Sequence, residues 1–266
     1  MKAGISTASL FLRRDNKQAL ELFNRFAIDT TEVFLTTFSE YGKEYVSTLD
    51  RGRVEVNSIH VLNSQFEPQL FALHEKVKED AYFWLKKVLA SAQMLGAKHY
   101  TFHGTARYKL ASRNPLNDNF NKLRKDFSCI AKTCREYGVT LCLENVEWAT
   151  YNRVGVFEQI APYVPEMKGV LDIKQARLSG QDYRKYLQEM GQKLAYAHIS
   201  DVDEQGKMCL PGKNGTFDFD ELLRRLKDIG FNGALIIEAY EKDYQKEEEL
   251  KESYEYINEL IYKHNA

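Results

Sequence analysis

Residues 138–145 read Gly-Val-Thr-Leu-Cys-Leu-Glu-Asn. A glycine suited to closing a helix is followed by a short apolar run, β-branched at its start, and the run stops on a bare carboxylate. Six residues are too few for a buried helix and suit a buried strand. A carboxylate is costly against apolar chain unless it is paired or holds a metal. Glu144 therefore reads as the end of a strand that opens on a site.

The same punctuation recurs on both sides of this stretch. Toward the C-terminus, Lys168–Asp172, Leu194–Ile199 and Gly233–Glu238 are short apolar runs, with Asp172, His198 and Glu238 at or near their ends. Toward the N-terminus, Lys2–Thr7, Thr31–Leu35, Val54–Val61 and Lys98–His103 read as strands, with His60 and His103 near the ends of the third and fourth. Between them lie stretches with helical spacing of apolar residues: Asn16–Phe26, Leu70–Leu95, Asn117–Tyr137, Val154–Ala161, Gly180–Met190, Phe217–Ile229 and Lys246–Tyr262. A short charged segment fills Tyr41–Leu49. Gly96, Gly138 and Gly230 stand where helix C-caps belong, and Thr216 or Asp218 where an N-cap belongs.

Eight strand–helix units in 266 residues imply a parallel sheet with right-handed crossovers. The count and length fit a closed (β/α)8 barrel, for which about 250 residues is typical. An open doubly wound sheet is disfavoured, because no G-x-G-x-x-G follows strand one. No Pro/Gly/Ser-rich linker divides the chain, so residues 1–266 are read as one α/β domain.

Thirty-seven basic against 38 acidic residues give a formal net charge of −1. That balance argues against a general nucleic-acid binder, which needs a basic surplus to displace counterions. Cys129, Cys134, Cys142 and Cys209 contain no C-x-x-C pair, and reduced thiols are expected. Lys2–Leu12 is followed by Arg13-Arg14-Asp15 and not by a signal-type cleavage site. No stretch approaches the roughly 18–20 apolar residues that span a bilayer. A cytoplasmic protein without membrane contact is the expectation, with homo-oligomerisation left open.

In a barrel, the C-terminal ends of the strands surround the active-site mouth. An acid or imidazole there on six strands is a pattern, where a single rim histidine is not. Glu144, Asp172, His198 and Glu238, from four successive strands, make an O/O/N/O set suited to Mn2+, Mg2+, Co2+ or Zn2+. His60 and His103 are candidates to hydrogen-bond substrate oxygens. Lys174 could meet a substrate anion, and Trp148 could wall a sugar ring. Pro211–Gly215, with Lys213, could form an anion nest. His74, His99 and His264 fall away from the mouth and are given no role.

The runs Leu143-Glu-Asn145, Leu171-Asp-Ile-Lys-Gln-Ala176, Ala197-His-Ile-Ser-Asp201, Pro211-Gly-Lys-Asn-Gly215 and Ile236-Ile-Glu-Ala-Tyr240 resemble the sugar phosphate isomerase/epimerase superfamily. This is the xylose isomerase-like TIM barrel group, which includes endonuclease IV. The resemblance spans nearly the whole chain. It implies a divalent metal held by Glu144, Asp172, His198 and Glu238. It also implies that Glu144 and Glu238 act as acid and base on opposite faces of a substrate carbon. A metal-dependent isomerase or epimerase of a sugar, a sugar phosphate or a related polyol carbonyl compound follows, working through a metal-stabilised cis-enediolate. An inosose-type dehydratase is a variant on the same site. An abasic-site nuclease is the alternative of another class. Many members carry His three residues after the strand-six Asp, where this chain has Gln175, also a candidate substrate contact. The Asp-x-His pair that a trinuclear nuclease site needs before the glycine loop is also missing, because Lys207–Pro211 fills that stretch.

Overall fold

The computed structural model describes residues 1–105 and 116–265. Eight parallel strands close into a barrel: β1 (Lys2–Ser6), β2 (Thr30–Leu35), β3 (Glu55–Val61), β4 (His99–Phe102), β5 (Thr140–Glu144), β6 (Lys168–Asp172), β7 (Leu194–Ile199) and β8 (Ala234–Ile237). Each strand pairs with its sequence neighbours, and β8 returns to β1 with Lys2 opposite Ala234 and Ile5 opposite Ile237. The helices are α1 (Asn16–Arg25), α2 (Lys43–Val46), α3 (Glu75–Leu95), α4 (Leu116–Glu136), α5 (Phe157–Ile160), α6 (Ile173–Leu178), α7 (Tyr183–Met190), α8 (Phe219–Asp228) and α9 (Glu248–Asn265). They cover the outer face of the strands, and the expected barrel is the one observed.

Local chemistry sets the helix ends. Asp15 and Gln18 form a capping box at α1, and Asp218, rather than Thr216, caps α8 by accepting the Glu221 N–H. Gly96 ends α3 in the left-handed region at φ +77°. The long helix expected over 70–95 is instead a 3-10 turn, Glu67–Phe71, an extended residue at Ala72, and then α3. Pro68 suits only the first turn of a helix, and the break turns Glu67 into the interior. An unanticipated turn of helix, α6, starts directly at the end of β6.

Alternation along each strand sends every second side chain into the barrel. Outward residues such as Ile5, Val33, Ile59, Leu141 and Leu171 join the large core under the helices. Inward, Cys142, Val170, Tyr196 and Ile236 pack at mid-height as a separate apolar cluster. Two residues further along β5–β8 come Glu144, Asp172, His198 and Glu238. The barrel thus carries a polar layer directly above a packed floor, and the period of two is what lifts four ligand-type side chains to one level.

Candidate metal centre and substrate cavity

Glu144, Asp172 and His198 are the ends of β5, β6 and β7 or one residue short of them, and Glu238 and His103 follow β8 and β4 by one residue. All are buried, at 8% exposure or less. His198 Nδ1 lies 2.9 Å from Glu144 Oε1 and 3.0 Å from Glu238 Oε2. Asp172 Oδ1 accepts the Gln175 N–H at 2.8 Å and so caps α6. Asn145 clamps this strand end, donating from Nδ2 to the Asp172 carbonyl and accepting the Asp172 N–H, both at 2.8 Å. Glu144, Asp172 and His198 each bring one donor atom within 4.8 Å of the others, as do Glu32, His198 and Glu238.

The donors fit a divalent cation. Among the described residues, buried Glu144 Oε2 and Glu238 Oε2 make no aligned hydrogen bond, although His103 Nε2 and His198 Nδ1 approach them to 2.8 and 3.0 Å. Buried carboxylate oxygens without an aligned donor are expensive, and a cation shared with Asp172 and His198 would satisfy both. The electrostatics agree. Burial pushes Asp172 up to about 7, helped by Glu144 and Glu238 and opposed by the Lys174 ammonium. Burial also opposes ionisation of Glu144, but the His198 and His103 imidazoles outweigh it and hold that carboxyl well below its usual range. His198 is raised well above the ordinary imidazole value, because Glu32, Glu238 and Glu144 overcome its desolvation.

Above this layer opens a cavity of about 590 Å³. His60, His103, Glu144, Gln175 and Glu238 supply its polar floor and wall, and Phe11, Phe34, Trp148 and Tyr240 its aromatic rim. His60 Nε2 lies 3.1 Å from His103 Nε2, and His103 Nε2 lies 2.8 Å from Glu144 Oε2. The Trp148 ring packs 5.3 Å from His103. Gln175 Oε1 accepts the Glu147 N–H at 3.3 Å. His60, His103, Gln175 and Trp148 thus line the same cavity.

Two lysines are placed differently. Lys174 does not line this cavity; its ammonium turns inward, 3.5 Å from Glu238 Oε1, 4.0 Å from Asp172 Oδ2 and 4.3 Å from the centre of the Tyr240 ring. Two buried carboxylates draw it there as a counter-charge. Lys213 pairs with Glu252 of α9, also outside the cavity lining. Beside the glycine loop, the Asp201 carboxyl packs against Gly215, where a Cβ would clash, and its Oδ1 accepts the N–H groups of Val202 and Phe217 at 2.7 and 2.9 Å.

Two buried carboxylates escaped the sequence reading. Glu32, in β2, and Glu67, in the 3-10 turn, are both fully buried. Glu67 accepts from the Tyr100 hydroxyl at 2.6 Å, from Asn63 Nδ2 at 2.8 Å and from the His103 N–H at 3.2 Å. The signal for Glu32 was present, since an acid amid Thr30-Thr-Glu-Val-Phe-Leu35 is as costly as one at a strand end.

Residues 17–260 match the xylose isomerase-like TIM barrel family, and the chain belongs to it. It is 24% identical to an inosose isomerase from Bacillus velezensis over 99% of this chain and 98% of the relative. Among solved structures it superposes on D-psicose 3-epimerase from Clostridium cellulolyticum H10 with a TM-score of 0.78, at 17% identity, covering 98% of this chain and 99% of the other. It also superposes on an IOLI protein that carries a bound zinc atom, with a TM-score of 0.77, at 18% identity, covering 99% of both chains. Among the described residues no helix is long and apolar enough to cross a membrane.

Proposed function

We propose that the protein is a divalent-metal-dependent isomerase or epimerase of a small sugar or related polyol carbonyl compound. The observation that carries this reading is the convergence of buried Glu144, Asp172, His198 and Glu238 beneath an open cavity, with Glu144 Oε2 and Glu238 Oε2 making no aligned hydrogen bond. Glu144, Asp172, His198 and Glu238 would hold the ion, which when bound supplies Lewis-acid polarisation of a carbonyl. The family and the likeness to an inosose isomerase support the reaction class.

The remaining steps belong to the chain. Glu144 and Glu238 stand on strands three steps apart around an eight-stranded ring, so they flank a substrate from different sides. One removes the proton alpha to the carbonyl and the other returns a proton to the opposite face. His60 and His103 hold substrate oxygens at the cavity floor, and Gln175 offers an amide where a charged group would be less tolerant. Trp148 and the other rim aromatics present apolar surface to the C–H face of the sugar and narrow water's access.

Running turnover in D2O tests the reading on a panel of ketoses and inososes. Proton transfer places deuterium on the carbon beside the carbonyl. Product free of deuterium, under conditions where the enediolate would exchange, overturns the two-glutamate mechanism.

A further inference from the structure

Glu32 is fully buried inside the barrel, just below the ligand layer, and the surrounding hydroxyls fix its carboxylate. The Tyr196 hydroxyl lies 2.5 Å from Thr101 Oγ1, which in turn lies 2.5 Å from Glu32 Oε2. Thr101 has one proton, and the ionised carboxylate can only accept, so Thr101 donates to Glu32 and accepts from Tyr196. Ser58 Oγ also donates to Oε2, at 2.8 Å. That oxygen is fully engaged, and its partners come from β3 and β4.

Oε1 is left for two imidazoles, with Ser6 Oγ at 3.3 Å as its other contact. His60 Nδ1 is 3.3 Å away, and His198 Nε2 is 3.1 Å away, off the line of a good hydrogen bond. In both rings the other nitrogen faces function. His198 Nδ1 faces Glu144 and Glu238 and, with no cation between them, donates to Glu144 Oε1 at 2.9 Å, while His60 Nε2 faces the cavity and His103. A neutral imidazole has one N–H and one lone pair, and its partner on one side decides which nitrogen carries which.

We infer that, once a cation occupies the ligand layer and displaces the proton of His198 Nδ1, Glu32 is the positioning residue that holds the N–H of His198 on Nε2 and that of His60 on Nδ1, so that lone pairs face the cation and the cavity. A carboxylate behind a ligating imidazole fixes both its tautomer and its ring angle. The inference rests on the reading of Glu144, Asp172, His198 and Glu238 as a metal centre. It adds that His60 serves as a hydrogen-bond acceptor, receiving a substrate hydroxyl rather than donating to a carbonyl.

The test compares wild type with Glu32→Gln, which keeps shape but places a donor amide among the hydroxyls and imidazoles. Zinc affinity is measured by chelator competition, and the histidine nitrogen resonances are read in the 15N-labelled, zinc-loaded protein. Glu32→Gln is expected to bind zinc about 10–100-fold more weakly and to lose the fixed tautomers of His198 and His60. Unchanged affinity in a folded variant overturns the inference while the metal reading stands. Weaker binding with unchanged tautomers also overturns it, by showing that only a negative charge was lost. Wild-type protein that binds no zinc overturns the metal reading and this inference with it. Should Glu32→Gln not fold, Thr101→Val removes a hydroxyl that anchors Oε2 and leaves the carboxylate in place. It should weaken zinc binding several-fold, and wild-type affinity there overturns the inference.

Discussion

His99 gives the structure a titration that is independent of the ligand layer. It opens β4 at the base of the barrel, with Lys168, Leu194 and Phe231 around the same cavity and the Tyr196 ring 5.4 Å away. Its Nδ1–H donates to the Asn57 carbonyl at 3.1 Å. Burial pushes its pKa down from 6.5 to about 4, with Lys168 and Lys2 acting in the same direction and the Asn57 carbonyl opposing. The unfolded chain therefore binds a proton near pH 6.5 that the folded chain refuses until about pH 4. Folded stability is unaffected above that window and falls as pH drops through it. At about 1.4 kcal/mol per pH unit the full window corresponds to roughly 3 kcal/mol, and partial exposure of the ring trims this toward about 2. His99→Asn keeps a donor for the Asn57 carbonyl and removes the titration. Urea unfolding at pH 7.5 and 4.5 gives each protein's own loss, so the pH-independent cost of the substitution and the titration of all other groups cancel. The variant should lose about 2 kcal/mol less than wild type between the two pH values. Equal losses would show that His99 is not held neutral by burial, and the reasoning would fail.

The metal reading predicts about one divalent ion per wild-type chain and a sharp loss of content in Asp172→Asn and His198→Ala, checked by elemental analysis. Added metal should raise the melting temperature of wild type and not of those two variants, because only a native-state site is stabilised by mass action. Trp148 is 37% exposed in the cavity rim. Covering that fraction of a ~200 Å² side chain is worth about 2 kcal/mol at most, so Trp148→Ala should raise KM roughly tenfold with kcat little changed. A fall in kcat with unchanged KM would instead place the ring's effect in the transition state.

The barrel was legible because each strand is short, apolar and sharply bounded, and because glycines such as Gly96 and Gly138 take the left-handed caps their positions suggest. The region 67–74 was less legible, since its apolar spacing continues into α3 and only Pro68 hints at a break. Helix α6 was missed for another reason. Asp172 was read as a ligand alone, yet the same carboxylate caps the helix that follows it. That helix, in turn, explains Lys174. Read as loop, its ammonium pointed at a substrate; in the first turn of α6, it folds back onto Glu238 and Asp172.

Glu32 was hidden by the stagger of the barrel. By strand position it stands near the start of β2, where a charged side chain is expected to reach solvent. Register decides otherwise: Glu32 pairs with Ser6, the last residue of β1, on one side and with Ser58, well inside β3, on the other. Tilted strands in a closed barrel place residues of unlike strand position at one level, and that offset cannot be counted from a single chain. The cost of burying a carboxylate can. Glu32, Glu67, Glu144, Asp172 and Glu238 are all buried around one mouth, and Lys174 is the ammonium that reaches two of them. Hydroxyls, amides and imidazoles solvate Glu32 and Glu67, whereas Glu144 and Glu238 each keep an oxygen without an aligned donor among the described residues. The deficit of positive charge therefore falls on the residues proposed to hold the ion, and the two acids that the sequence concealed are the ones the fold had already satisfied.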